Sequence, residues 1–166
     1  MSGQTQIDFE SLKKALRRLR EMPVPFEGGC MCGQFRYRCT KAPVWSGNWH
    51  CHACQKLTGG SFSTAFTVAT ESFEVLQGTA LEFEREAEGG SLVTTIRCAE
   101  CGVWVYARRA GRPEMTSILA ATLDDPSNFV LAANVYVSEA APWTVLDASL
   151  AKFWKMPEAD LPPQTP

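Results

Sequence analysis

A mostly β domain of folded antiparallel sheets, preceded by one amphipathic helix, is the fold the sequence predicts. Three observations carry it. Short alternating runs separated by turn signals fill the chain from about residue 34 to residue 137, one helical stripe lies near the N-terminus, and seven cysteines gather in tight groups.

The helix is predicted over about Asp8 to Met22, with Phe9, Leu12, Leu16 and Leu19 on one stripe and Lys13, Lys14, Arg17, Arg18 and Arg20 around the rest; Pro23 and Pro25 end it. Charge opposite an apolar stripe is what any docked surface helix shows, so these five cations read as a solvated face rather than an anion site. Beyond the helix the period changes to two. Phe35, Tyr37 and Cys39 alternate with Gln34, Arg36 and Arg38, and further strands are expected at Ser61–Val68, Phe73–Leu76, Ala80–Arg85, Leu92–Cys98, Val103–Arg108, Thr116–Leu119 and Phe129–Val137. Turn signals at Gly59-Gly60, Gln77-Gly78, Gly89-Gly90 and Asp124-Asp125-Pro126 separate them, which favours a sandwich-like or folded sheet over a βαβ arrangement. A second short helix is expected after Asp147. Leu161 to Pro166, with three prolines, reads as a frayed tail.

With 45% hydrophobic and 20% charged residues and a formal net charge of −2, the composition is that of one globular domain. A slightly acidic balance lacks the basic excess of a nucleic-acid binder. The segment Met1–Glu10 is polar, and no apolar run approaches the roughly 18 residues that span a bilayer, so the expected setting is the cytoplasm, without a membrane partner.

The cysteines are the most specific signal. Cys30-Met31-Cys32, Cys51-His52-Ala53-Cys54 and Cys98-Ala99-Glu100-Cys101 are compact groups, with Cys39 alone. Thiolate-bound zinc takes four ligands at tetrahedral corners, and a Cys-x-x-Cys turn supplies two with little strain. Cys-x-Cys on an extended segment puts both sulfurs on one face, and Gly33 and Gly102 let the chain turn tightly behind the sulfurs. An odd cysteine count argues against a disulfide scaffold, and several groups together argue against a single redox pair. Cys30 and Cys32 begin one expected strand, while Cys98 and Cys101 lie at the turn between two others. These four are therefore expected to meet at one sheet corner around a structural zinc, and the residues divide into a helical extension (1–25), a zinc-binding β domain (26–157) and a proline-rich tail (158–166).

Cys51 and Cys54 remain, flanked by the only two histidines, His50 and His52. A catalytic zinc needs about three protein ligands and an open position, and two cysteines are too few. His52 is the expected third donor, ahead of His50, because a histidine adjacent to a bound cysteine reaches the same metal only with strain. The polar-loop reading of both histidines stands beside it.

These residues resemble the glutathione-dependent formaldehyde-activating enzymes and their relatives, including the centromere protein V group. The resemblance rests on Gly28-Gly29-Cys30-Met31-Cys32-Gly33 followed by an Arg/Tyr strand, on Cys51-His52-Ala53-Cys54-Gln55-Lys56-Leu57-Thr58-Gly59, on Cys98-Ala99-Glu100-Cys101-Gly102, on Thr122-Leu123-Asp124 and on Pro142-Trp143. It implies a zinc fold like that of Rab-accessory and methionine-sulfoxide-reductase-type proteins, with structural zinc at Cys30, Cys32, Cys98 and Cys101. It also implies a second zinc on a Cys-x-Cys-x-x-Cys motif that meets the glutathione thiol as it adds to formaldehyde. Here that motif reads Trp49-His50-Cys51-His52-Ala53-Cys54, with tryptophan in place of the first cysteine. His50, His52, Cys39 or glutathione itself are the candidates to complete a labile second site.

The resulting expectation is a zinc-dependent carbon–sulfur lyase-type enzyme with Cys51, Cys54 and His52 as catalytic residues and a small thiol and an aldehyde as partners, a homo-oligomer being left open. Arg36, Arg38, Arg97, Arg108 and Arg109 are candidates to pair with the carboxylates of an anionic thiol, against the simpler reading of solvated arginines. Glu82, Glu84 and Glu86 read as a wet strand face. The competing class is a non-catalytic zinc-stabilised binding module. A zinc ribbon ranks last, because 43 residues separate Cys54 from Cys98, far beyond the roughly 15–20 of a ribbon.

Overall fold

A computed structural model describes residues 9–157. Asp8, where the helix was expected to begin, and the tail 158–166 lie outside them. Helix α1 runs Phe9–Arg20. Eleven strands follow in two sheets: β1 (Phe26–Gly29), β2 (Arg36–Cys39), β3 (Trp45–Trp49), β4 (Ser63–Ala69), β5 (Phe73–Gln77), β6 (Ala80–Glu86), β7 (Leu92–Cys98), β8 (Trp104–Arg109), β9 (Met115–Leu119), β10 (Ala133–Val135) and β11 (Ala151–Lys152), with a short helix α2 (His52–Thr58) after β3. The fold is mostly β, as the alternation predicts.

One sheet has the order β1-β2-β5 and the other β11-β10-β3-β4-β9-β8-β7-β6. Their pairings are antiparallel except at one end, where β10 runs parallel to both β3 and β11. The core lies between the sheets. Phe35, just before β2, and Tyr37 and Cys39 of β2 meet Phe66, Val68, Ile96, Val105, Tyr106 and Ile118 from the large sheet. Because side chains alternate along a strand, Ser63, Ala65 and Thr67 of β4 face the other way, together with Ser117 and Leu119 of β9, which are paired with Thr67 and Ala65. That outer face carries the site described below.

Helix α1 buries Leu12, Leu16 and Leu19 in a second cluster with Trp45, Val135, Ala151 and Phe153, at the β3-β10-β11 end of the large sheet. Its basic residues lie on the opposite side of the apolar stripe, the solvated arrangement expected. Fully burying three leucines contributes several kcal/mol, at about 1.5–3 each.

Besides adding β1, α2 and β11, the structure corrects the expected elements in four places. Of the strand expected at Phe129–Val137, Ala133–Val135 forms, and it runs parallel. Among the described residues no helix follows Asp147; the chain turns there and enters β11. Strand β3, unexpected because Gly47 and Asn48 are poor strand formers, is held by tertiary hydrogen bonds: Ser46 Oγ donates to the Val130 carbonyl at 2.6 Å, and Asn48 Nδ2 donates to Asn134 Oδ1 at 3.2 Å. Cys30 and Cys32 sit in the turn between β1 and β2 rather than at the start of an extended strand.

Candidate functional site

The ligand atoms of Cys30, Cys32, Cys98 and Cys101 lie within 4.8 Å of one another, the one such group of three or more metal-ligand side chains among the described residues. Two tight turns bring them together. In the first, the Cys30 N–H donates to the Phe35 carbonyl at 3.0 Å and the Phe35 N–H returns to Cys30 Sγ at 3.2 Å. In the second, the Cys98 N–H donates to the Val103 carbonyl at 2.9 Å. Each turn needs a left-handed residue directly after its second cysteine, supplied by Gly33 (φ 77°) and Gly102 (φ 73°). Burial works against the Cys30 thiolate, but the Phe35 N–H and the neighbouring thiols outweigh it and bring the group down to about 6. The Val103 N–H leads the lowering of Cys101. At Cys32 a Gln34 N–H favours the thiolate, yet desolvation and the other three sulfurs push the group up to about 12. Four sulfurs so close ionise together only around a cation, and this donor set, with N–H groups aimed at the sulfurs, fits tetrahedral zinc.

On the outer face of the large sheet is a cavity of about 330 Å³, the size of small-ligand sites. Its floor is small residues of β4, β8 and β9, including Ser63, Ala65, Thr67, Ala107 and Ser117, and Trp49, Trp104, Tyr136 and Met156 wall it. Trp49, Tyr136 and Met156 also pack against the cluster that α1 builds, so the helix supports one wall.

Cys51 and Cys54 both line this cavity. Cys51 is the N-cap residue directly before α2, and Cys54 sits in its first turn, only 5% exposed. Interaction with the Cys54 thiol is the largest effect at Cys51; with the Cys54 N–H and the nearby Arg85 guanidinium it outweighs burial and brings Cys51 down to about 7. The same interaction, with burial, raises Cys54. Helix α2 is anchored by Gln55, whose Nε2 donates to the carbonyls of His50 at 2.6 Å and Glu139 at 2.8 Å.

The histidines go elsewhere. His50 is buried, with Nε2 2.9 Å from Asn134 Oδ1 and its ring against Phe62. His52 is 72% exposed at its side chain; its N–H donates to Glu139 Oε2 at 2.9 Å and its Nδ1 lies 3.5 Å from the same oxygen. Cys39 is sealed in the core between the sheets, where burial pushes it up to about 12. Among the described residues no third ligand-type side chain therefore joins Cys51 and Cys54, and two sulfurs alone do not fit a catalytic zinc.

Four arginines line the cavity, Arg85, Arg108, Arg109 and Arg112. Arg108 donates to Tyr106 Oη at 2.9 Å and Arg112 Nε lies 3.5 Å from Glu114. Arg85 is different: its Nε is buried without a hydrogen-bond partner among the described residues. Of the other arginines considered from sequence, Arg36 pairs with Asp124, Arg38 with Glu27, and Arg97 donates to the carbonyls of Gly102 and Leu57, each at 3.1 Å, tying the four-cysteine turn to α2. Glu82 and Glu84 are exposed as a wet face, while Glu86 reaches the cavity rim.

A family model described as glutathione-dependent formaldehyde-activating enzyme matches residues 25–139, well over half of the chain and all seven cysteines. The chain belongs to this family. Among solved structures, a Rhodobacter sphaeroides structural-genomics protein is similar at 17% identity, with a TM-score of 0.48, over 59% of this chain and 87% of that one. No curated protein matches. Membership in the formaldehyde-activating family supports a glutathione-dependent, formaldehyde-activating role at family level, and no helix among the described residues is long and apolar enough to cross a membrane.

The family motifs find physical reasons here. Gly28 passes so close to Tyr37 and Thr122 that a Cβ would stand 2.3 Å from the phenol oxygen and from the Thr122 carbonyl. Tyr37 and Arg36 in turn meet Thr122 and Asp124, which joins the Arg/Tyr strand to the Thr-Leu-Asp motif. Exposed Trp143 donates to Ser61 Oγ at 3.0 Å. Arg85, Arg112, Trp104, Tyr136 and Glu139 were missed from sequence as site residues. Arg85 left one signal: it ends the Leu81-Phe83-Arg85 face of a strand, a charge where an apolar residue would continue the alternation.

Proposed function

We propose that this chain promotes the reversible addition of an anionic thiol, glutathione or one like it, to formaldehyde or a related aldehyde, a carbon–sulfur lyase-type reaction carried out in the cavity at Cys51 and Cys54. One observation carries the reading. This member of the family has two thiols, Cys51 and Cys54, and four arginines, Arg85, Arg108, Arg109 and Arg112, around one ligand-sized cavity. Arg85 and Arg109 take the thiol's carboxylates as charge-assisted pairs, and the small-residue floor seats its backbone. Cys51, held low enough to be partly thiolate near neutral pH, accepts the proton of the incoming S–H. The freed sulfur adds to the carbonyl carbon, and the proton passes to the new alkoxide. The balance is one S–H and one C=O consumed, one C–S and one O–H formed, with Cys51 regenerated.

In this reading the four-cysteine cluster holds one structural zinc, and the reduced thiols of the cytoplasm are the working surroundings. Cys51 and Cys54, with no third ligand beside them among the described residues, act here as thiols, and His52, held by Glu139, takes no part in the steps. A second reading, a zinc-stabilised binding module without chemistry, has one observation in its favour: Trp49 stands where the family's third sulfur is expected.

The two readings separate on the rate at which glutathione consumes free formaldehyde. The enzyme reading expects acceleration by the protein that Cys51→Ser removes, and a KM for glutathione raised about tenfold in Arg85→Gln, roughly one charge-assisted contact, with a neutral thiol unaffected. No acceleration above the protein-free rate would leave the binding module.

A further inference from the structure

Once four cysteines gather at one corner and Cys39 is enclosed in the core, Cys51 and Cys54 are left as a Cys-x-x-Cys pair of their own. In the sequence this pair stands among others and reads as one more ligand pair; in the fold it stands apart. We propose that Cys51 and Cys54 form a dithiol that reduces low-molecular-weight disulfides bearing carboxylates, closing to an intramolecular Cys51–Cys54 disulfide. This activity goes beyond the thiol–aldehyde reading and does not depend on it.

Three features support it. Cys51 caps the N-terminus of α2 and Cys54 lies in its first turn, a Cys-x-x-Cys spacing at a helix start, the setting in which the first sulfur of such a pair is favoured as thiolate. They are unequally accessible. Both line the cavity, but Cys51 is partly exposed and Cys54 only 5% exposed, so one sulfur is placed to attack and the other to resolve. Neither is committed to a complete metal site, because Trp49 offers no ligand, His50 is held by Asn134 and His52 by Glu139.

The cavity also indicates what comes to them. Arg85 lies close enough to act electrostatically on both sulfurs, with a buried Nε lacking a partner among the described residues, and Arg109 lines the same space. Both suit a disulfide with carboxylate groups better than one with ammonium groups.

The exchange balances in two steps. Cys51, as thiolate, attacks one sulfur of the incoming disulfide; that S–S bond breaks, one thiol leaves with a proton, and a mixed disulfide remains on Cys51. Cys54 then gives up its proton and attacks Cys51 Sγ, expelling the second thiol. Two electrons pass from the protein pair to the disulfide, which becomes two thiols.

The experiment uses the full chain, zinc-loaded and reduced, incubated with glutathione disulfide as probe, then blocked at its free thiols and mapped by peptide mass spectrometry. The expected result is a Cys51–Cys54 disulfide with the four-cysteine cluster intact. Cys54→Ser should instead trap glutathione on Cys51, and Cys51→Ser should show neither species, circular dichroism confirming that both variants fold. Wild-type protein that stays reduced, or that carries glutathione on Cys51 without closing the ring, would overturn the proposal. So would equally fast oxidation by cystamine, which has ammonium groups in place of carboxylates. Glutathione–formaldehyde exchange measured on the same reduced sample reports on the earlier reading separately.

Discussion

The phenol of Tyr37 lies 3.0 Å from the hydroxyl of Thr122, two buried groups 85 residues apart that fasten the small sheet to the end of β9. Thr122 Oγ1 also donates to the Leu119 carbonyl at 2.7 Å, and Gly28 makes room for the contact. Tyr37→Phe removes the bond but keeps the ring among Phe73 and the rest of the core. We expect a loss of about 1 kcal/mol, read as a shift of the urea midpoint. Gly28→Ala places a methyl against backbone as well as against Tyr37 and should cost more than Tyr37→Phe in the same assay.

Metal removal should separate the two cysteine groups. Cys98→Ser breaks a four-sulfur site whose occupation is linked to folding, a term on the order of 10 kcal/mol. We expect it to release about one zinc equivalent and abolish the cooperative melting transition, whereas Cys51→Ser keeps both. The check is elemental analysis beside calorimetry.

Much of this was legible in the sequence because it rests on local rules. The Leu12-Leu16-Leu19 stripe gave α1, period-two alternation placed β7 at its true limits, and the paired cysteines with Gly33 and Gly102 led to the sulfur cluster. What escaped depends on distant partners. Strand β3 is made by Asn48, Ser46 and their contacts more than 80 positions away. The fates of His50 and His52 are set by Asn134 and Glu139, which only the parallel placement of β10 and the turn after it bring near. Arg85 breaks the apolar alternation of β6, but that it lines the cavity with Cys51 and Cys54 depends on strands distant in sequence.

Trp49 marks the departure from the family motif, and its reversal is informative. Trp49→Cys supplies a third sulfur two residues before Cys51, the number a catalytic zinc needs. The expected outcome is a rise from about one to about two zinc equivalents per chain by native mass spectrometry, the second being removed by a mild chelator. The cavity loses an indole wall at the same time, so thermal stability should fall rather than rise.

Reactivity of the pair should follow their opposite shifts. Cys51, drawn down to about 7 chiefly by the Cys54 thiol, is expected to react with iodoacetamide at a rate that climbs with pH up to about 7 and levels above it, because the thiolate is the nucleophile. Cys54, raised and enclosed, should remain unlabelled over the same range. Peptide mapping of the reduced protein across pH checks both.

The most direct measurement is exchange NMR on glutathione and formaldehyde at equilibrium with their adduct, with catalytic amounts of wild-type protein. The account predicts that the protein speeds interconversion without changing the equilibrium populations, and that alkylating Cys51 abolishes the effect while the fold persists. Interconversion that is equally fast with protein, without it, and with the alkylated form would contradict the account.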